Sequence, residues 1–168
     1  MDFRFLKNHF LISGVVFLST GCALLGGGGN EISRAEDYSL SPPAVWQKRG
    51  TDGESDYAYR LPSGNTVTVT SSCNKHKEAS LKVLTRELLI GSRNVKIERE
   101  EPLVILGGEA HYSRVRASSE GVPFLLDIVV LKKRGCVFDF SLMSPKSITA
   151  NETKEFLSFV RTLKYATD

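Results

Sequence analysis

Two aspartates interrupt apolar stretches in the C-terminal half of the chain, and paired carboxylates are a common basis for acid–base chemistry. Asp127 lies inside the apolar run Val122–Leu131, and Asp139 lies in the run that follows. If the two runs pair through the turn between them, positions 127 and 139 are equidistant from position 133 and face each other. Two carboxylates so placed would share a proton or bind a cation. The sequence favours the alternative, in which each faces solvent or meets an arginine, such as Arg114 or Arg116.

Other patterns that carry chemistry are missing from the sequence. The three histidines, at positions 9, 76 and 111, form no cluster at metal-ligand spacing. No serine sits in a Gly-x-Ser-x-Gly elbow, and the glycine groups lack the lysine of a phosphate-binding loop. We therefore expect no catalytic residue, no metal and no cofactor. An envelope hydrolase built on the two aspartates is the weakest alternative.

Basic residues form one compact group at Lys132, Lys133 and Arg134, with Arg93 and Lys96 elsewhere in the chain. Such a group could contact anionic lipid or peptidoglycan, and the alternative is a solvated turn. The sequence alone favours the turn.

The N-terminus has the layout of an export signal. Arg4 and Lys7 precede an apolar run, Phe10 to Leu18, which is about half the length that a membrane-spanning helix requires. The junction Leu18-Ser19-Thr20-Gly21-Cys22 resembles the lipobox of bacterial lipoproteins, although most lipoboxes place leucine where Ser19 stands. The resemblance implies cleavage before Cys22 and attachment of acyl chains such as palmitate to that cysteine. The alternative is an ordinary secretory signal.

Lipidation of Cys22 leaves Cys73 and Cys136 as an even pair. Disulfides persist in the oxidising compartment that an exported protein reaches, so we predict a bond between them, with two separate thiols as the alternative. Ala23 follows the lipidated cysteine, and the sorting habit of bacterial lipoproteins then implies the outer membrane, facing the periplasm, if the host has two membranes.

Composition restricts the partners. Beyond position 21 the chain has 20 basic and 18 acidic residues, since the signal removes two of the 22 basic and one of the 19 acidic residues. This near balance argues against nucleic acid as a ligand. We expect three parts: a signal peptide at 1–21, a lipidated glycine-rich tether at 22–43, and one domain at 44–168.

The elements of that domain follow from hydrophobic periodicity. Residues 57–61 and 66–70 alternate as a hairpin, and leucines at three- and four-residue spacing predict a helix over 77–90. Four further strands are predicted at 94–100, 109–117, 122–131 and 136–142, followed by a helix capped by Thr149 and Glu152. We expect Trp46, the only tryptophan, to be a core residue. The order ββαββββα predicts an α+β domain with two helices on an antiparallel sheet of about six strands.

This order, with its opening hairpin, the Gly108-Glu109-Ala110 entry to a strand and the terminal Phe156–Val160 helix, resembles the PsbP/Mog1-like fold. Members of that fold are mainly adaptors and assembly factors, which implies a binding role and no catalytic residue. The sequence thus predicts a lipid-anchored, non-enzymatic accessory protein of the bacterial envelope, held on the membrane and binding another envelope protein. The alternative is a small-ligand or lipid carrier with a pocket between helices and sheet.

Overall fold

The computed structural model describes residues 33–74 and 78–166. The predicted signal peptide, Cys22 and the glycine-rich segment of the predicted tether lie outside these residues. Within them the chain forms two helices and nine strands, in the order β1 Tyr38–Ser39, β2 Gln47–Arg49, β3 Tyr57–Arg60, β4 Thr66–Cys73, α1 Leu81–Glu87, β5 Arg93–Ile105, β6 Gly108–Ser119, β7 Val122–Lys133, β8 Cys136–Ser144, α2 Ala150–Val160 and β9 Lys164–Tyr165.

Seven of these strands form one antiparallel sheet in the order β2-β3-β4-β8-β7-β6-β5. The fold class is therefore as predicted, with seven strands rather than six. The additional strand is β2, which has only three residues and no alternation that the sequence could reveal. A separate two-stranded ribbon joins β1 to β9.

Three consecutive hairpins form the part of the sheet from β5 to β8. Each has a two-residue loop ending in glycine, namely Leu106-Gly107, Glu120-Gly121 and Arg134-Gly135, and all six residues have positive φ. Positive φ at both loop positions is the requirement of the type I′ turn, whose twist matches that of the flanking strands. These tight loops set the register of β5 to β8.

Strand β5 is longer than the sequence predicted. It extends to Ile105 and contains Pro102, a residue that lacks the N–H needed inside a sheet. Because β5 lies at the sheet edge, this missing donor costs no ladder hydrogen bond. The register also shifts between Arg93 and Lys96 and again between Ile97 and Arg99, and such bulges, with proline and charges, discourage pairing with another chain.

The two faces of the sheet pack against different helices. On one face Val129 and Leu131 of β7 join the large cluster beneath α2, which contains Phe138, Phe140 and Phe156. On the other, Ile128 and Val130 pack beneath α1 with Leu84. Strand β7 is thus covered on both faces, as its nearly continuous apolar sequence predicted.

Helix α2 begins where its capping box predicted. Thr149 Oγ1 accepts from the Glu152 N–H, while a Glu152 carboxylate oxygen accepts from the Thr149 N–H at 2.8 Å. Helix α1 is shorter than the predicted 77–90: it begins after the N-cap Ser80 and ends at Glu87. Trp46 is 6% exposed and packs against Tyr59 and Phe159, which confirms it as a core residue.

The predicted boundary between tether and domain at position 43 is wrong. Ser33 bridges to Cys73, and Tyr38 pairs with Tyr165. Ala35, Tyr38 and Leu40 also pack against the α2-side cluster. The domain therefore includes residues 33–43, because apolar side chains among the polar ones in this segment find partners that lie far away in sequence.

Candidate functional site

Asp127 is completely buried on the α2 face, and its carboxylate is fully engaged. Arg114 donates to both oxygens at 2.7 Å, one bond from Nε and one from Nη2. The Tyr112 hydroxyl donates at 3.0 Å and the Thr153 hydroxyl at 2.7 Å. These four bonds connect β7 to β6 and α2. The two bonds from Arg114 have the planar bidentate geometry of a guanidinium–carboxylate pair.

The chemical consequence is that Asp127 is a structural anchor. A buried carboxylate without partners would have to take up a proton, whereas this one meets a cation and two hydroxyls. Its hydrogen bond raises the pKa of Arg114 further above the ordinary arginine value. Burial, together with the Asp127 charge, raises the pKa of Tyr112. Of the two alternatives that the sequence left open, the arginine partner is the one present.

The less favoured hypothesis, a pairing of Asp127 with Asp139, is wrong. Asp127 lies opposite Leu142 and Asp139 lies opposite Val130. The hairpin turns through two residues, Arg134 and Gly135, so its centre falls between these residues and not at position 133. This moves the two aspartates to opposite faces of the sheet, because adjacent strand residues point to alternate faces.

Asp139 occupies a different environment, on the α1 face. It lies between Val130 of β7 and Thr70 of β4, and its Oδ1 atom is buried without a hydrogen-bond partner among the described residues. Burial, with the nearby negative charge of Glu87, raises the pKa of Asp139 to about 7. Asp139 is therefore the described carboxyl group most open to protonation near neutral pH.

Helix α1 has a mostly exposed outer side beside this carboxyl group. A shallow groove of about 440 Å³ is lined by Lys82, Val83, Arg86, Glu87 and Ile90. Val83 is 50% exposed and Ile90 is 80% exposed. Charged and apolar side chains thus alternate on a surface that the domain itself does not cover.

A charged cluster holds α1 to the sheet. Glu100 of β5 accepts from Arg86 at 2.8 Å and Lys82 at 3.0 Å, and these bonds lower its pKa. His111 Nε2 lies 4.0 Å from the same carboxylate, and burial lowers the pKa of His111. Sequence reasoning missed this cluster because its members come from three elements separated by up to 29 positions.

The predicted disulfide between Cys73 and Cys136 is present, with the sulfurs 1.99 Å apart. The two cysteines lie directly opposite each other on β4 and β8. These strands are neighbours in the sheet although 63 positions separate the two cysteines. The bond therefore joins the β2–β4 part of the sheet to the β5–β8 part at one end of strands β4 and β8.

The basic residues of the predicted group separate into two places. Lys133 and Arg134 flank the ring of Tyr165, at 5.9 and 4.7 Å from its centre, whereas Lys132 donates to the Ala79 carbonyl on the side of α1. Arg93 and Lys96 belong to edge strand β5. Only Lys133 and Arg134 share a common location at the β7–β8 turn.

Among residues 33–74 and 78–166, no three His, Cys, Asp or Glu side chains are arranged to hold a metal ion. Neither helix in this part of the chain is long and apolar enough to cross a membrane.

Comparison with solved structures identifies the fold. Cyanobacterial PsbP (CyanoP) from Synechocystis superposes with a TM-score of 0.54 at 14% identity, over 83% of this chain and 95% of that one. A protein from Bacteroides thetaiotaomicron gives 0.54 at 17% identity over 80% of this chain, which spans only 47% of that protein. LpqN of Mycobacterium tuberculosis, described as involved in cell envelope biogenesis, gives 0.47 at 14% identity over 80% of this chain and 83% of that one.

No protein-family model matches the sequence, and a comparison with curated proteins finds no match. At these identities the structural likeness concerns the fold alone. The antiparallel sheet with one helix on each face and the coverage of CyanoP over nearly its whole length agree with the resemblance drawn from the sequence. The described domain has a PsbP-like fold.

Proposed function

We propose that this protein is a lipid-anchored, non-enzymatic accessory protein of the bacterial cell envelope, whose domain binds another envelope protein. The observation that carries the proposal is the use of the cysteines. Two of the three form the Cys73–Cys136 disulfide, which is typical of exported proteins. The third, Cys22, ends a signal-like segment at a junction that resembles a lipobox.

A binding role is supported by the outer side of α1. Val83 and Ile90 are exposed there between charged residues. A partner protein would cover these apolar side chains and could pair with the charged residues between them. Exposed apolar residues grouped in this way are typical of interaction surfaces.

The alternative functions have less support. A carrier would need space between α2 and the sheet, where Phe138, Phe140, Phe156 and Phe159 are at most 1% exposed and pack together. A hydrolase would need Asp127 and Asp139 to converge, and they lie on opposite faces. Neither geometry favours these functions over binding.

Lipid attachment is tested by labelling cells with an alkyne-bearing palmitate analogue. We expect the wild-type protein to carry the label and to fractionate with the outer membrane in a host with two membranes. Cys22→Ser should lose the label, whereas the control Cys73→Ser should keep it. Equal labelling of Cys22→Ser and wild type would contradict the anchor.

Partner binding is tested by site-specific photo-cross-linking in intact cells. A photoreactive residue at Ile90 is expected to capture a discrete protein, and one at Glu155, on the outer side of α2, serves as the matched control. Loss of the adduct when the Cys73–Cys136 disulfide is reduced and the domain unfolds would show that the folded domain is required. Capture of lipid alone at position 90 would remove support for the adaptor role.

A further inference from the structure

One end of the sheet combines features that come from distant parts of the sequence. The Leu106-Gly107 and Arg134-Gly135 turns lie at the same end, because β6 and β7 run between them and the Glu120-Gly121 turn in an antiparallel meander. Gly108 ties the two turns closely: a Cβ atom there would lie 2.9 Å from the Lys132 carbonyl oxygen. We call this region the turn end.

The chain enters the described domain at the turn end. The first described residue, Ser33, bridges to Cys73, whose N–H donates to the Ser33 carbonyl at 2.8 Å. Cys73 is bonded to Cys136, and the next residue, Asn74, donates to the Gly135 carbonyl at 3.2 Å. The segment from Cys22 therefore joins the domain beside the Arg134-Gly135 turn.

The turn end also presents apolar and basic side chains together. Val104 is 80% exposed and Leu106 is 40% exposed beside the first turn. Lys133 and Arg134 lie at the other turn, against the ring of Tyr165. Acidic residues lie nearby as well: Glu109 pairs with Val104, and the backbone carbonyl of Asp37 accepts from the Ala166 N–H. The electrostatic attraction to an anionic surface is therefore modest, and apolar contact must add to it.

We propose that the turn end is a membrane-contact surface, on which Val104 and Leu106 enter the headgroup region and Lys133 and Arg134 contact the phosphates of anionic phospholipids. This inference rests on the proposed lipid anchor. Ten residues lie between Cys22, the proposed site of lipidation, and Ser33, so the two are joined by 11 Cα–Cα steps that reach at most about 40 Å. The anchor would therefore keep the turn end within about 40 Å of the bilayer.

Such proximity makes weak contacts effective. A tethered group experiences millimolar effective concentrations of its target, and each lysine or arginine near an anionic surface strengthens binding about fivefold. Lys133 and Arg134 together would shift the docked population by roughly 25-fold at low salt. The contact would orient the domain, with the outer side of α1 free for a protein partner.

The test uses the full-length lipidated protein in vesicles of phosphatidylethanolamine and phosphatidylglycerol whose acyl chains carry bromine. Val104→Trp places a fluorescent reporter at the turn end. Val122→Trp is the matched control, since Val122 is 61% exposed and lies beside the turn at the opposite end of the sheet. We expect quenching of at least twofold at position 104 and none at position 122, after subtraction of the Trp46 signal.

Further arms separate the contributions. Replacing phosphatidylglycerol with phosphatidylcholine, or adding the double variant Lys133→Gln/Arg134→Gln, should reduce quenching at position 104, while Lys154→Gln on α2 should not. Absence of quenching at position 104, or equal quenching at both positions, would overturn the proposal. Equal quenching at position 104 with and without phosphatidylglycerol would also overturn it, because the contact would then not depend on anionic phospholipid.

Failure of the anchor is distinguished by co-sedimentation. A protein without lipid would not sediment with phosphatidylcholine vesicles, whatever the turn end does. The Cys22→Ser chain is therefore also mixed with excess phosphatidylglycerol vesicles. Quenching at position 104 in this chain supports the contact surface without the anchor, and absence of quenching in both chains rejects it.

Discussion

Neutralising Asp139 should stabilise the protein, and the effect should depend on pH. The carboxyl group has a raised pKa of about 7 in the folded chain, against an ordinary value of 3.8. A raised pKa means that the folded state holds the proton more tightly than the unfolded state. The contribution to stability is therefore present at low pH and is lost as the pH rises toward 7, where the buried group must ionise beside Glu87.

The magnitude follows from the difference between the two pKa values. At 1.36 kcal/mol for each tenfold change, the full difference corresponds to about 4 kcal/mol above pH 7. Asp139 retains some contact with solvent, which screens the charge, so we expect about half of this, roughly 2 kcal/mol. Asp139→Asn should thus raise the free energy of unfolding by about 2 kcal/mol at pH 8 and by about 0.5 kcal/mol at pH 4.5.

Urea unfolding of the disulfide-bonded wild type and Asp139→Asn at pH 4.5 and pH 8 measures this difference. Asp127→Asn is the matched control on the other face of the sheet. It breaks a bidentate ion pair with a buried carboxylate, so it should destabilise the protein by about 3 kcal/mol. A loss of stability in Asp139→Asn, or an equal change at both pH values, would refute the assignment of Asp139 as an unsatisfied buried carboxyl group.

Three other substitutions test features that hold the fold. Replacing Cys73 and Cys136 together with alanine removes a bond that closes a loop of 63 positions. The free energy of unfolding measured in urea should fall by up to about 4 kcal/mol. A reducing agent should then have no further effect on the variant. Thr149→Ala removes the α2 capping bond and should cost about 1 kcal/mol, whereas Thr149→Ser should cost little; equal losses would contradict the cap. Gly108→Ala would place a methyl group against the Lys132 carbonyl, and thermal unfolding should show a loss of about 1 to 3 kcal/mol; an unchanged midpoint would mean that the turns separate easily.

The sequence by itself determined the elements of this domain and most of their order. Alternation of apolar residues identified the strands, and the spacing of Thr149 and Glu152 placed the start of α2. These signals are local, since each depends on side chains only a few positions apart. The cysteine count, taken with the predicted export signal, also predicted the disulfide correctly, because disulfides persist in oxidising compartments.

The tertiary structure alone decided which polar groups meet. The hairpin between β7 and β8 is centred between Arg134 and Gly135, whereas a pairing of the two aspartates required a centre at position 133, which differs by three positions in register. An odd offset in register sends a side chain to the opposite face of the sheet, so Asp127 received Arg114 while Asp139 received Glu87 as its neighbour. Residues 33–43 likewise join the domain through partners far along the chain, such as β9 and Cys73.

The same reason explains the turn end. Ser33, Cys73, Leu106 and Arg134 are distant in sequence, and only the antiparallel meander and the disulfide bring them to one end of the sheet. Periodicity shows that strands alternate but not which ends lie together, because strand pairing is fixed by long-range packing and loop length. Composition and local pattern thus predicted the helices and strands, and the register of the sheet determined which side chains contact each other.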